Sequence, residues 1–337
     1  MCKKTKKNTN RYAKLNFISF FVFFLFVIVG KIPHGTLQVE SAPNQQDSYL
    51  KVHFIDVGQA DAALLECDGN FALIDGGNKA DSDKIYSVLK SAKVPKLDII
   101  VASHAHEDHI GGLSAALKYT TADLVLSPVN SYASEAFKDL VKYADLNGGG
   151  VQIPAVRDKY DLGKAELTIL GLNTSESVNN SSIVLRVDFG ITSFLFTGDA
   201  EREAEQALLD SGANLAATVL KVGHHGSDTS TAYPFLRAVN PKYAVISVGK
   251  NNSYGHPSGN TLSRLRDADV EVFRTDLQGD IFCYSDGINI FWGKDKPQPK
   301  QNNLDFLSYF DYELRKIPVY IFTRFPIFRR IDNPFVF

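Results

Sequence analysis

Ser103-His104-Ala105-His106-Glu107-Asp108-His109-Ile110-Gly111-Gly112 is the densest run of metal-competent side chains in this 337-residue chain, with three histidines and Asp108 inside six positions. The residues before it, 97–102, are apolar apart from Asp98 and predict a buried strand. Those after it, 113–119, predict a helix opened by the glycine pair. The cluster therefore occupies a strand-to-helix loop. On such a loop alternate residues point the same way, so His104 and His106 can share one ion while Asp108 and His109 turn toward a second. Imidazole and carboxylate suit Zn²⁺ or Mn²⁺, and two ions about 3.5–4 Å apart can clamp the attacking and leaving oxygens of a hydrolysis.

Outward from this loop the chain alternates between short apolar runs and amphipathic ones. Strands are predicted over 51–56, 62–67 and 71–75, then a helix over 81–92 that leads into the histidine-bearing strand. Beyond it come a strand at 123–126, a helix at 134–146, strands at 166–170, 183–189 and 193–197, a helix at 200–211, and strands at 218–222 and 243–248. Strand runs interleaved with single helices predict an α/β domain of two sheets covered by helices on their outer faces. Three more strand ends carry ligand types: Asp199 after Phe196-Thr197-Gly198, His224-His225 after Lys221-Val222-Gly223, and His256 within Tyr254-Gly255-His256-Pro257-Ser258. Taken singly, Asp199 reads as a helix N-cap and His256 as a turn residue. Their recurrence at successive strand ends joins them to the histidine loop.

Composition is that of an ordinary globular protein, 44% hydrophobic and 22% charged, with a formal net charge of -2. That balance argues against holding polyanions by bulk charge, so a nucleic acid would need a local basic patch or metal. Three cysteines, Cys2, Cys67 and Cys283, exclude a disulfide scaffold and leave one Cys67–Cys283 bridge open. Residues 1–30 combine a lysine-rich start with an apolar run at 17–29, the pattern of a signal peptide or an uncleaved signal-anchor. The run is shorter than the roughly 20 residues that span a bilayer comfortably, which favours cleavage, best placed before Ala42. Either form predicts a secreted or extracytoplasmic location, with membrane association through that segment. Residues 31–49 read as a linker, 50–293 as the hydrolase domain, and 294–337 as a linker and a proline-broken aromatic and basic tail of no assigned role.

Asp56-Val57-Gly58-Gln59-Ala60-Asp61-Ala62, Ile74-Asp75-Gly76-Gly77, the 104–109 cluster, Thr197-Gly198-Asp199 and His224-His225-Gly226-Ser227 together resemble the metallo-β-lactamase superfamily. Within it, residues 51–292 most resemble the extracytoplasmic hydrolase domain of ComEC-type competence proteins. The resemblance implies an αββα sandwich of two mixed sheets with helices on the outer faces, and a dinuclear Zn or Mn site at one edge. It implies a phosphodiesterase or nuclease acting on DNA or a related phosphodiester. Carried over by residue, His104 and His106 would hold the first ion and Asp108 and His109 the second. Asp199 would bridge them, and His224 or His225 would complete the second site, with His224 nearer the strand end. Asp108, His225 and His256 would then take part in catalysis, the last two through substrate contact or proton donation. Asp56, Asp61 and Asp75 would support the ligands. Asn179-Asn180-Ser181-Ser182 stands where many members have another histidine, with Asn179 and Ser182 beside the ligands. That substitution weakens the first site and tilts it toward Mn²⁺. Ala60 replaces a usual glycine and would be strained if its φ were positive. Two other readings are a hydrolase of a cell-surface or small-molecule ester, and an exported binding protein that has lost catalysis.

Overall fold

The computed structural model describes residues 48–172 and 177–295. The expected signal segment, most of the 31–49 linker and nearly all of the 294–337 tail lie outside the described residues. Among the described residues no helix is long and apolar enough to cross a membrane.

Fifteen strands are described: β1 Leu50–Phe54, β2 Ala62–Cys67, β3 Asn70–Gly76, β4 Leu97–Val101, β5 Ala122–Leu126, β6 Val151–Gln152, β7 Lys159–Leu162, β8 Ala165–Gly171, β9 Val184–Phe189, β10 Thr192–Phe196, β11 Val219–Lys221, β12 Tyr243–Ile246, β13 Glu271–Arg274, β14 Ile281–Ser285 and β15 Ile290–Trp292. They form an eight-stranded sheet ordered β15-β14-β1-β2-β3-β4-β5-β6 and a seven-stranded sheet ordered β13-β12-β11-β10-β9-β8-β7. Both sheets are mixed. In the first, β3 to β6 run parallel and the rest antiparallel; in the second, β10 to β13 run parallel.

Alternation along the strands sets the layers. Val52, Phe54, Ala63, Leu65, Ile99 and Val101 meet Leu167, Leu185, Val187, Phe194 and Phe196 between the sheets. Their neighbours Leu64, Leu73 and Ile100 face the other way, under the helices Ser82–Ser91, Leu113–Tyr119 and Glu135–Leu146. The first of these helices buries Ile85, Val88 and Leu89, a stripe at i, i+3 and i+4. On the second sheet Leu195, Leu220 and Ala244 pack beneath Arg202–Asp210, Tyr233–Val239 and Gly259–Asp267. Helix, sheet, sheet, helix is the αββα sandwich that the alternating pattern predicts.

Two details correct or settle sequence expectations. Cys67 and Cys283 are both buried free thiols. Cys67 lies on β2 and Cys283 on β14, on opposite sides of β1, so about two strand spacings separate them, beyond disulfide reach. Ala60 is buried without a positive φ, and Gly58 takes the left-handed turn instead at φ 68°.

Candidate metal centre

The carboxyl ends of the parallel strands in both sheets open onto one edge of the sandwich, the usual ligand side of such sheets. β3 delivers Asp75, β4 the histidine loop, β10 Asp199, and β11 the His224-His225 pair. The glycine pair after the loop is needed for close approach: a Cβ on Gly112 would collide with the Gly76 carbonyl, and one on Gly111 with the backbone of Lys79. The loop is thereby pressed onto the end of β3.

That contact fixes His109. The Asp75 carboxylate accepts from the Ser103 amide at 2.7 Å and lies 2.9 Å from His109 Nδ1. His109 Nε2 is left aimed at Asp199 Oδ1, 3.2 Å away. Asp199 is held from behind, its amide donating to Ser182 Oγ at 3.1 Å. The preceding Gly198 has φ 51°, and a Cβ there would stand 2.8 Å from the same hydroxyl. Only glycine meets both demands. Asp199 Oδ2 faces His104 Nε2 at 3.9 Å, His224 Nε2 at 3.6 Å and His225 Nε2 at 3.8 Å. One carboxylate thus looks at four imidazoles.

Side-chain donor atoms of Asp108, His109, Asp199 and His225 all lie within 4.8 Å of one another. His104 Nε2, which faces Asp199 Oδ2, stands 3.0 Å from His106 Nδ1. The fit to metal is tested by two atoms. His109 Nε2 and Asp199 Oδ1 are buried, face each other at 3.2 Å and have no other polar partner that forms a hydrogen bond, an arrangement that a shared cation would satisfy. His109 donating its other nitrogen to a carboxylate is the outer support that metal-ligating imidazoles need.

His225 has its own support. Its Nδ1 lies 3.0 Å from the Ser247 carbonyl and 3.3 Å from Asp61 Oδ1, while Nε2 is 3.2 Å from Asp108 Oδ2. Lys221 Nζ closes the chain at 2.8 Å from the other Asp61 oxygen. Asp61, Asp75 and His109 also converge, but Lys221 already neutralises Asp61.

The cluster's charges are interlocked. Burial alone would raise the Asp199 carboxyl, yet His109 and His225 hold it well below the usual range. Burial would likewise lower His225, but Asp199 and Asp61 push it up to about 10. Asp199 and Asp75 lift His109 well above an ordinary imidazole against the same burial. His104 goes the other way, driven well down by burial and the charge of His109. Without metal, then, the floor is an alternation of carboxylates and imidazolium ions whose protons a divalent ion replaces.

Other expected residues fall at the rim or elsewhere. The sequence favours His224 over His225 as the ligand nearer the strand end. The structure seats His225, only 2% exposed, in the cluster. It leaves His224 partly exposed, with Nδ1 3.2 Å from Thr229 Oγ1 and 3.4 Å from Glu201 Oε1. The reason is local: both residues have left-handed φ, 50° and 51°, so the strand's alternation stops at Val222. Asp56, expected to orient the histidine loop, accepts from its own Gly58 amide instead, at 3.2 Å. Asn179 lines the groove and lies 3.5 Å from Glu201 Oε1, and His256 stands across it with Nδ1 3.4 Å from Gln59 Nε2. Sequence reasoning missed Lys221, Ser103 and Gln59. For Lys221 a signal existed, since a lysine amid Val219, Leu220 and Val222 needs a buried partner.

Comparison with known proteins agrees with this geometry. Residues 55–250 match the family described as the metallo-beta-lactamase superfamily. The chain belongs to that superfamily. Its members are in general metal-dependent hydrolases, and the fold binds divalent metals. Among curated relatives, this superfamily chain is similar to ComE operon protein 3 of Bacillus subtilis, 30% identical over 72% of the chain and 34% of that protein. It is also similar to competence protein ComA of Neisseria gonorrhoeae, 33% identical over 66% of the chain and 30% of that protein. The chain thus spans about a third of the length of these relatives. Among solved structures, the metallo-beta-lactamase fold protein YhfI from Bacillus subtilis aligns with 71% of this chain and 100% of its own, at 14% identity and a TM-score of 0.46.

Proposed function

We propose that this chain is an exported, dinuclear metal-dependent phosphodiesterase whose substrate is DNA. The observation that carries it is the buried pair His109 Nε2 and Asp199 Oδ1, which face each other at 3.2 Å with no hydrogen bond to any other group, beneath an open groove of about 570 Å³. In this reading His104, His106 and Asp199 hold one ion, with His224 at its open side. Asp108, His109, Asp199 and His225 hold the other. Zn²⁺ and Mn²⁺ both accept such a set, and the lack of a further histidine at Asn179-Asn180-Ser181-Ser182 favours Mn²⁺. Bound divalent ions supply a Lewis acid for the phosphoryl oxygen and bring the pKa of water down toward about 7.

The chain's own residues do the rest. Asp75 and Asp61 keep His109 and His225 in the tautomer that leaves Nε2 free for metal. His256, 5.7 Å from the His224 ring and steadied by Gln59, is placed to pass a proton to the leaving oxygen. Similarity to competence-named proteins supports DNA as the polymer. The basic start and apolar run of residues 1–30 support export and contact with a membrane.

The test is a substrate panel on the full chain loaded with Mn²⁺ or Zn²⁺: single- and double-stranded DNA, RNA, bis-p-nitrophenyl phosphate and a phosphocholine ester. DNA cleavage that disappears with chelator is the expected result. Failure on every phosphodiester sinks the reading, and turnover of the phosphocholine ester alone moves it to a cell-surface substrate.

A further inference from the structure

The groove above the metal centre is lined by Gln59, Asn78, Glu107, Asn179, Tyr254 and His256 among others, and among the described residues by no lysine or arginine. A polynucleotide held here gains little from phosphate contacts by basic side chains, the usual source of its affinity. Something else in the wall has to grip it.

Tyr254 is the most exposed aromatic among the described residues, at 71%. The other exposed tyrosines are occupied: Tyr233 donates to Asp267, Tyr86 packs edge-on to Tyr119, and Tyr132 lies against Phe137. Tyr254 has one ring neighbour, His256, nearly parallel at 27° with centroids 5.8 Å apart. Among the described residues its hydroxyl has no hydrogen-bond partner. An aromatic face turned to solvent at a groove mouth offers a flat surface on which a ligand ring can stack.

The ring is also held in place. The Asn252 side chain accepts from the Tyr254 and His256 amides at 3.1 and 3.0 Å and donates to the Gly249 and His256 carbonyls at 2.9 and 2.6 Å. Gln59 reaches the same loop from the first sheet, accepting from the Gly249 amide at 3.0 Å. Four bonds from one asparagine make the loop a fixed support, and a stacking surface gains from being rigid before the ligand arrives.

We propose that Tyr254 is the seat of a nucleobase, the subsite by which the groove holds single-stranded nucleic acid beside the ions. The proposal rests on the phosphodiesterase reading and gives it a substrate form: a base stacks flat on the exposed ring while its phosphate reaches the metals past His256. A duplex hides both faces of its bases, so a frayed or single strand is required. Stacking accepts any base, and the site selects strandedness rather than sequence.

The experiment uses the full chain with Mn²⁺ and a short oligodeoxyadenylate carrying one 2-aminopurine, whose fluorescence falls when it stacks. An oligomer of the same length without bases serves as control. Wild type and Tyr254→Phe quench the probe; Tyr254→Ala does not, and its Kd and KM rise about 5- to 150-fold, the range for one lost base stack. On the baseless oligomer and on glycerophosphocholine all three proteins behave alike. Equal loss on every substrate would make Tyr254 a mere prop for His256 and overturn the proposal, as would unchanged binding in Tyr254→Ala. Quenching by wild type without cleavage of any nucleic acid or other phosphodiester leaves the base seat standing and refutes the phosphodiesterase reading.

Discussion

The floor and the rim of the groove are built from the same residue types to opposite ends. On the floor, His109, Asp199 and His225 are each at most 2% exposed, and each is braced by a second group: Asp75, Ser182 and Asp61 with Lys221. At the rim, His224 lies beside the Thr229 hydroxyl and the Glu201 carboxylate, His256 lies beside the Gln59 amide, and both face solvent in part. Burial with a fixed brace makes a residue able to hold a cation, because the ligand is desolvated and its geometry set in advance. Partial exposure leaves a residue free to meet a substrate. The histidines of this site therefore divide by surroundings, not by type.

The largest expected effect breaks the floor. Asp199→Ala removes the carboxylate that faces four imidazoles, so metal content and turnover should fall together to background. Metal analysis after gel filtration, read beside DNA cleavage, checks it. An Asp199→Ala protein that keeps two ions would end the bridging assignment. His256→Ala attacks the rim and should do the reverse, keeping its metal while losing ~10²–10⁴-fold in rate, the usual cost of a missing proton donor. If His256→Ala sheds metal as Asp199→Ala does, His256 is a ligand and the division between floor and rim collapses.

How far this division was legible follows from what generates each part. The histidine loop, its strand and the strand ends bearing Asp199 and His224-His225 follow from local periodicity, and ten of the fifteen observed strands lie within about two residues of those expected, while β6, β7, β13, β14 and β15 have no counterpart. The choice between His224 and His225 did not, because two consecutive left-handed residues without glycine carry no local signal. Nor did the bracing. Asp61 and Lys221 are far apart in sequence and meet only once both sheets are stacked, and β14 returns from the end of the domain to pair with β1. Contacts of that kind are set by the packing of layers, which no window of sequence contains.

A third prediction sharpens the comparison at its support. Asp75 has φ 57°, a conformation asparagine tolerates, so Asp75→Asn should fold. It weakens the hold on His109 Nδ1 by removing a charge, and metal affinity should fall ~10–100-fold, the usual cost of an outer support. Competition with a chromophoric chelator measures this. An unchanged affinity would show that burial alone sets the floor and that its carboxylate braces are ornamental.

The smallest expected effect lies outside the groove and tests why the floor's carboxylates stay charged. Glu205 is 3% exposed, as buried as Asp199, but it accepts from the Ala232 amide at 3.0 Å and from the Thr231 amide and touches no imidazole. Burial therefore wins, and the two backbone donors only partly oppose it: Glu205 is pushed up to about 7, where Asp199 is driven down. Between the unfolded value near 4.5 and about 7 the folded chain binds the extra proton. Stability gained from that proton is complete below 4.5 and declines as pH rises through the window, by on the order of 2–3 kcal/mol. Glu205→Gln has nothing to titrate there. Denaturant unfolding of the metal-free protein at several pH values should show wild type losing ground to Glu205→Gln from pH 4.5 to 7, with the gap flat above. A gap that stays constant across the window would mean that the two amides, with Arg264 and Arg202 nearby, keep Glu205 ionised. In that case a buried carboxylate stays charged with no imidazole beside it, and the histidines of the floor would no longer be needed to explain Asp199.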